Sequence, residues 1–471
     1  MAKDFLYTTI TNGIARQIRN GVLKAGDRLP SVRMLCLQHN IGMNTAKRVF
    51  MELEALSLIS SKPQSGYFVN LQPQLKLPLT AVSKPSATGR NKEPDELIRK
   101  VYAGLGKDDL TPFAIGSPSG KLLPLAKLNR EIALATRTLK AGGIGYEPLQ
   151  GNVALRRMIA ARSLAWGGNL DENDLLTTAG GMNALSFCMM ALSKPGDTIA
   201  MESPCYPGSL QLALSLGLKV LELPTHPTKG IEIDALKKAI PKIQLCLLAP
   251  NFNTPLGSHM PDENKEAVVK LLARHDIPLI EDDIYGDLHF DAQRPKCCKT
   301  FDKKGMVLWC SSASKTLAPG YRVGWLAPGR YKEQILKLKL VHTLSCTAIT
   351  QEAVAGFLKS GRYENHLRQL RKTLQDNYQH YIRTIAEHFP AGTKTSRPQG
   401  GLSLWVELNK NTSTTKLFEK AIKQKISIAP GRMFTLQDQF ENCMRLSLGL
   451  PWTDNLEKQL QLLGKLAATM R

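Results

Sequence analysis

The sharpest chemistry in the sequence lies in Ser311-Ser-Ala-Ser-Lys-Thr-Leu-Ala-Pro-Gly-Tyr-Arg-Val-Gly-Trp325. Lys315 follows small hydroxyl residues at the end of a predicted strand, and Arg322 comes seven positions later. An unprotonated lysine amine condenses with an aldehyde, while hydroxyls and a guanidinium hold a phosphate. Lys315, Ser312, Ser314 and Arg322 therefore suit an aldehyde cofactor that carries a phosphate. Upstream, Glu281-Asp-Asp-Ile-Tyr285 closes another predicted strand. A carboxylate such as Asp282 keeps a pyridine nitrogen protonated, so the ring can act as an electron sink. The phenol of Tyr285 can bond the ring's own oxygen. The plainer role for Asp282 is a helix cap at a strand end.

Three further pieces agree with this chemistry. Thr177-Thr-Ala-Gly-Gly-Met-Asn183 precedes a predicted helix, whose first amides can cradle phosphate. Tyr206, in Glu202-Ser-Pro-Cys-Tyr-Pro207, stands at a strand exit, where it either stacks on a ring or serves structure. Arg445, in Met444-Arg-Leu-Ser-Leu-Gly449, sits inside an apolar strand and needs an anionic partner. A substrate carboxylate and a structural salt bridge are the two candidates. The nine cysteines form no CxxC pair, and neither they nor the nine histidines show metal-ligand spacing. We expect no metal.

The elements that must position these groups follow from periodicity. Apolar strands at 198–202, 219–223, 243–249, 277–281, 307–311 and 322–327 alternate with helical stretches. That order predicts a mostly parallel sheet covered on both faces. At 471 residues the chain is too long for one ordinary core. No apolar run approaches the roughly 20 residues that cross a bilayer. The N-terminus has charges where a secretory signal needs an apolar core, so a cytosolic protein is expected, with no membrane partner.

Taken together, the motifs resemble the fold-type I, class I/II aminotransferases from about residue 100 to the C-terminus. The resemblance implies a pyridoxal 5'-phosphate site. Lys315 would be the Schiff-base lysine, Asp282 the pyridinium partner, Tyr285 the phenolic-oxygen contact and Tyr206 the stacking ring. Gly181 and Met182 amides, with Ser312 and Arg322, would take the phosphate, and Arg445 a carboxylate. Tyr146, in GYEPLQG, looks like the tyrosine that reaches the neighbouring subunit's cofactor, which implies a dimer with shared sites. The family's Asn-Pro-Thr-Gly stands here as Asn253-Thr-Pro-Leu-Gly257. Thr254 thus occupies the ring-contacting Asn position, and Asn251 or Asn253 are the amides that could substitute.

Residues 1–70 read differently. Ile10, Ile14 and Ile18 make one helical stripe. A turn ends in Pro30-Ser31, with Ser31 a helix cap, and two short helices follow, the second beginning near Asn44. Two β-prone runs then flank Lys62-Pro-Gln-Ser-Gly66. Helix, helix-turn-helix and hairpin is the order of a winged DNA-binding domain. This unit holds nine Lys/Arg against four Asp/Glu, part of a net charge of +22 that favours a polyanion. Arg28, Ser31 and Arg33 surround a helix start, while Asn44, Thr45, Lys47 and Arg48 lie on the polar side of the next helix. Arg33 or Arg48 could reach a guanine edge. Gln64 and Gly66 lie on the wing. The segment resembles the GntR-type winged helix-turn-helix family through LPSVR (Leu29 to Arg33) and SGYFV. Gly42-Met43 departs from it where a small hydroxyl residue is usual.

Residues 71–100, rich in Pro, Ser, Gln and charge, read as a linker whose coil reach is roughly 30 Å. The whole order looks like the MocR subfamily of bacterial regulators. The expected fold class is α/β: an N-terminal winged helix-turn-helix (1–70), the linker (71–100), and a fold-type I aminotransferase-like domain (101–471). That large domain should have a mostly parallel central sheet and a smaller C-terminal α+β subdomain. The implied function is a pyridoxal-phosphate-dependent transcriptional regulator that binds double-stranded DNA. It would sense a small amine or amino-acid-like effector and act as a head-to-tail homodimer. The alternative is an active aminotransferase with an appended DNA-binding domain; the lysine, aspartate and Arg445 allow it, and Thr254 argues against it.

Overall fold

The computed structural model describes residues 6–24, 26–56, 58–62, 65–70, 77–86, 95–104, 106 and 109–470. Its N-terminal unit has helices Leu6–Arg19, Val32–His39 and Met43–Ala55, then an antiparallel hairpin of Ile59–Lys62 and Gly66–Val69. The helical stripe works as its spacing requires. Ile10 and Ile18 are buried against Leu35, Val49, Phe50 and Leu53 in a core of their own. Ser31 caps the second helix, its Oγ accepting from the Met34 amide at 3.2 Å. Gly42 caps the third with no side-chain hydrogen bond. Arg28 bridges to Phe68, so the turn before the second helix lies along the wing. Gly66 turns the hairpin at φ 98°, a conformation that favours glycine. Gln64 lies outside the described residues.

The large domain is built on an eight-stranded sheet. Its spatial order is Leu176–Thr178, Gly324–Ala327, Val307–Ser312, Leu279–Asp282, Leu245–Leu248, Thr198–Ser203, Lys219–His226 and Gly230–Ile231. The five strands from Val307–Ser312 to Lys219–His226 pair in parallel. Gly324–Ala327 is antiparallel to both of its neighbours, and Gly230–Ile231 to Lys219–His226. Alternation along each strand sends side chains to opposite faces. Ile199, Leu245, Leu247, Ile280 and Leu308 enter one core; Ala200, Cys246, Leu248, Leu279 and Val307 enter another. Both faces are covered, which is why these strands read as continuous apolar runs.

The smaller C-terminal part pairs Lys394–Thr395, Ser403–Glu407, Cys443–Ser447 and Ala429–Pro430 in an antiparallel sheet. Helices Arg362–His388, Thr414–Lys423 and Asp454–Ala468 accompany it. Among the described residues, no helix is long and apolar enough to cross a membrane.

The linker expectation needs correction over part of its length. Residues 77–86 form an extended strap on the large domain. Leu79 bridges in parallel to Thr395, and the Ala81 amide donates to Glu407 Oε2 at 2.9 Å. Residues 95–102 are already helix. A polar, proline-rich composition signals the lack of a core, but such a segment still docks where side chains satisfy its amides.

Leu53 is fully buried in the winged-domain core. Leu53→Ala should destabilise that unit by about 2–5 kcal/mol. All five tryptophans lie in the large domain. Denaturant unfolding should therefore show early loss of amide protection over residues 6–69 with an unchanged tryptophan-fluorescence midpoint.

Candidate functional site

The carboxyl ends of the parallel strands open on a cavity of about 190 Å³. This is where open α/β sheets place their ligands. Lys315, Asp282, Tyr285, Tyr206 and Arg322 all line it, as do Gly181, Met182, Ser314 and Thr254. Sequence-distant residues thus converge as the motifs required.

Glu281, Asp282 and Asp283 alternate across the strand end. Glu281 accepts from the Cys298 and Lys299 amides at 2.6 and 2.9 Å. Asp283 accepts from Trp309 Nε1 at 2.9 Å and from Asn251 Nδ2 at 3.0 Å, and pairs with Arg294. The middle acid alone faces the cavity. Burial raises the Asp282 carboxyl to about 6, with Asp283 adding to the effect and the Ile284 amide and Lys315 opposing it.

Lys315 closes a short turn, Ala313–Lys315, directly after its strand. Its Nζ donates to the Gly116 carbonyl at 2.6 Å and to Ser117 Oγ at 3.1 Å. Burial, reinforced by Arg445, lowers the amine to about 8. A useful fraction is therefore neutral near physiological pH, the form that condenses with aldehydes. The Tyr285 ring lies 5.9 Å away. Burial raises the phenol of Tyr285, against Thr254 and Arg445, and burial also raises that of Tyr206.

A phosphate cradle stands at one end. Helix Gly181–Leu192 follows Gly180, whose φ is 94°. A Cβ there would lie 2.3 Å from Arg322 Nη2, so only glycine lets the guanidinium approach the helix start. Arg322 donates to the Ala179 carbonyl at 3.1 Å. Ser312 behaves differently from the expectation that its hydroxyl faces the cavity. It caps the turn, accepting from the Ser314 amide at 3.2 Å, and is not among the lining residues.

Arg445 is buried, and its guanidinium donates to the Ala114 carbonyl. Its Nε and Nη1 have no partner. A salt bridge, one of the two expected roles, is absent among the described residues; an anion-accepting role remains. Gly116 makes room for it, since a Cβ would lie 2.9 Å from Nη1.

The substitute amides do not fill the Thr254 position. Asn251 is committed elsewhere, donating to Asp283 and accepting from Lys265 Nζ at 2.8 Å. Asn253 is fully buried, does not line the cavity, and turns its side chain to the Glu202 carboxyl. Thr254 does line the cavity, with its Oγ1 3.4 Å from Ser403 Oγ. Tyr146 is 85 % exposed and far from complete burial in its own chain. Gly116, Ser117 and Glu202 were not singled out from sequence. The first two lie about 200 positions from Lys315 and carry no local signal. Glu202 ends an apolar strand; burial raises its carboxyl to about 8, and one oxygen accepts from the Ala249 amide.

On the winged unit, Arg28, Ser31, Arg33, Asn44 and Lys47 are exposed, and Thr45 is half-buried. Arg48 stacks over the Tyr7 ring at 4.1 Å, so its guanidinium also serves the packing of the first helix. The described residues contain no metal-holding cluster, and the cysteines are free thiols.

Lys315 chemistry should follow its lowered pKa. Capture of pyridoxal phosphate, read by stopped-flow absorbance, should accelerate as pH rises through about 8. Arg445 disfavours the lysine cation, so Arg445→Leu should move that midpoint upward.

Residues 108–460 match the family Aminotransferase class I and II, and residues 6–69 match Bacterial regulatory proteins, gntR family. YjiR of Escherichia coli, an uncharacterized HTH-type transcriptional regulator, is 35 % identical over 461 residues, 98 % of each chain. The HTH-type transcriptional regulator NorG of Staphylococcus aureus is 26 % identical, with 92 % of this chain and 98 % of that one covered. Among solved structures, kynurenine aminotransferase from Pyrococcus horikoshii superposes with a TM-score of 0.73 at 24 % identity. It covers 82 % of this chain and 96 % of that one, and shows the fold. The family's cofactor is pyridoxal phosphate, and the lysine, the cavity-facing acid and the glycine-lined cradle fit it. A gntR-type winged helix-turn-helix joined to a complete aminotransferase fold makes this chain a member of the aminotransferase class I and II family with the MocR-like architecture of HTH-type transcriptional regulators.

Proposed function

We propose that the large domain binds pyridoxal phosphate and senses an amine or amino-acid-like effector, and that this sets the affinity of the winged domain for double-stranded DNA. The observation that carries the reading is a buried, half-unpartnered Arg445 set beside the cavity lysine: Gly116 accepts the Lys315 hydrogen bond and lies against Arg445 Nη1. Bound there, pyridoxal phosphate supplies an aldehyde and an electron-poor ring. The chain's own residues do the rest. Lys315 offers a partly neutral amine, and Asp282 offers a carboxylate that can hold a proton on a ring nitrogen. Gly181, Met182, Ser314 and Arg322 hold the phosphate, and Tyr206 covers one side. Arg445 Nε and Nη1 donate to a carboxylate of the effector, which favours an amino acid over a simple amine.

On the DNA side, Asn44 and Lys47 project from the exposed face of Met43–Ala55, with Arg28, Ser31 and Arg33 beside it. Phosphate contacts position such a helix and base contacts specify the sequence. A homodimer is supported by exposed apolar side chains, one on a loop and one near the end of helix Lys332–His342. Ile144 and Val341 are 89 % and 80 % exposed, and Tyr146 precedes Glu147, whose amide donates to Ser345 Oγ at 3.0 Å. In a head-to-tail pair, Tyr146 would enter the other subunit's site. Cytosolic location accompanies this reading.

A second reading, catalytic transamination, is favoured by Lys315, Asp282 and Arg445. Thr254 weighs against it, because a hydroxyl replaces the amide that tunes the ring.

Fluorescence anisotropy on DNA flanking the protein's own gene tests the proposal. Lys47→Ala should weaken binding to all sequences and lower the salt slope by about 1. Lys315→Ala should keep specific binding and lose its response to pyridoxal phosphate. Specific binding that ignores the cofactor in the wild type would overturn the sensing role.

A further inference from the structure

Ser203 begins the loop that carries Tyr206 into the cofactor cavity. Its amide donates to Thr225 Oγ1 at 3.1 Å, and its hydroxyl donates to the Glu222 carboxylate. Both partners belong to the neighbouring strand, Lys219–His226. From there two routes run to the strap. In the first, the Thr225 amide donates to Ser83 Oγ at 2.8 Å. In the second, Glu222 accepts from Thr435 Oγ1 at 2.7 Å and from the Leu436 amide at 2.7 Å. Thr435 Oγ1 in turn accepts from the Gln437 amide at 3.0 Å. The Gln437 side chain then takes both backbone groups of Ser86, with Nε2 donating to the carbonyl at 3.0 Å and Oε1 accepting from the amide. The circuit closes through the strap itself, from Ser83 to Ser86.

Nearly every link in this circuit is out of water. Ser203, Thr225 and Thr435 are fully buried, and Glu222, Ser83 and Gln437 nearly so. A buried carboxyl with three donors cannot lose one cheaply, because each freed donor stays desolvated. The same stretch also touches the cofactor loop directly, since the Cys205 amide donates to the Phe434 carbonyl at 3.0 Å. The strap, moreover, is the large domain's nearest described segment to the winged unit in sequence. From Asn70 to Leu77 the chain can span at most about 25 Å when fully extended.

We propose that Glu222 is a positioning residue that locks the Tyr206 loop and the strap 77–86 into one hydrogen-bonded unit, so that filling the cofactor cavity tightens the strap and restricts where the winged domain can reach. The inference rests on the sensing role above and names the path by which it acts. Glu222 touches neither cofactor nor effector. It acts through Ser203 toward the cavity and through Thr435 toward the strap.

Hydrogen exchange of the full-length protein, titrated with pyridoxal phosphate and followed in parallel by cofactor absorbance, tests it. In the wild type, saturation should slow exchange of the Ala81, Lys84 and Ser86 amides about threefold or more, as expected for a locally opening segment. Glu222→Ala should still show cofactor absorbance while the Ser86 amide, at the end of the Thr435–Gln437 route, no longer responds. Glu222→Gln should restore the response, because the Ser203 and Thr435 hydroxyls can either donate to its oxygen or accept from its nitrogen. Gln437→Ala cuts the circuit at the strap and leaves the buried carboxyl satisfied; it should abolish the response at Ser86 even if Glu222→Ala does not fold. Absorbance without strap protection in the wild type overturns the coupling alone. So does a wild-type response in Gln437→Ala. No absorbance change in the wild type overturns the sensing role, and the coupling with it.

Discussion

Asp282 faces the cavity because the acids on either side of it are held on the far face of the strand. Burying a carboxylate costs several kcal/mol unless hydrogen bonds or a counter-charge replace its water. Glu281 has two backbone amides, and Asp283 has Arg294, Trp309 and Asn251. A one-residue slip would reverse every side chain in the strand. It would put Asp282 among groups built for its neighbours and empty the cavity of its only strand-end acid from this motif. The buried network is thus what fixes the register of Leu279–Asp282, and that register aims one carboxylate toward Lys315 across the site. Lys315 is placed by the adjacent parallel strand, whose pairing runs Cys310 against Asp282.

Buried charges differ in how fully they are satisfied. Two buried charges away from the site are closed off: Lys265 donates to Asn251 and to the Lys296 carbonyl, and Asp287 is held well below the usual carboxylate range by Arg294 and Arg162 despite its burial; the buried Lys339 Nζ has no partner. Arg445, next to the cavity, has two unpartnered nitrogens. Lys315 is turned toward a carbonyl and a hydroxyl with no acid within salt-bridge reach among the described residues. Local rules of satisfaction fail where a ligand is meant to complete them. Asn253 does not line the cavity; its side chain bonds the Glu202 carboxyl and opposes the effect of burial there.

The chain carries two folding units with separate cores, and the segment between them is not simply a tether. Its middle, residues 77–86, has its amides met by Glu407, Gln437 and Gln439. The winged unit packs around a core that includes Ile10, Ile18, Phe50 and Leu53 and leaves Arg28, Arg33 and Lys47 exposed. Of the +22 charge, the first 70 residues account for 9 − 4 = +5. Most of the excess thus lies beyond the winged unit, where it can add non-specific attraction to DNA.

The sequence by itself determined the two-part architecture, the parallel sheet and the identity of the chemical groups. Continuous apolar strands, an isoleucine every fourth residue, a lysine after serines and an acid at a strand end are local patterns, and local patterns survive in one dimension. Ser31 could be read as a cap because a cap is made with residues three positions away. Tertiary structure decided whatever depends on partners distant along the chain. It gave Lys315 its contacts with Gly116 and Ser117, left Arg445 without an acid, engaged Arg48 with Tyr7, and spent Asn251 on Asp283 and Lys265. It also turned part of a linker into a strap. No spacing rule announces such contacts, because a hydrogen bond or a burial penalty is set by what folding brings alongside, and the sequence order records only what is covalently near.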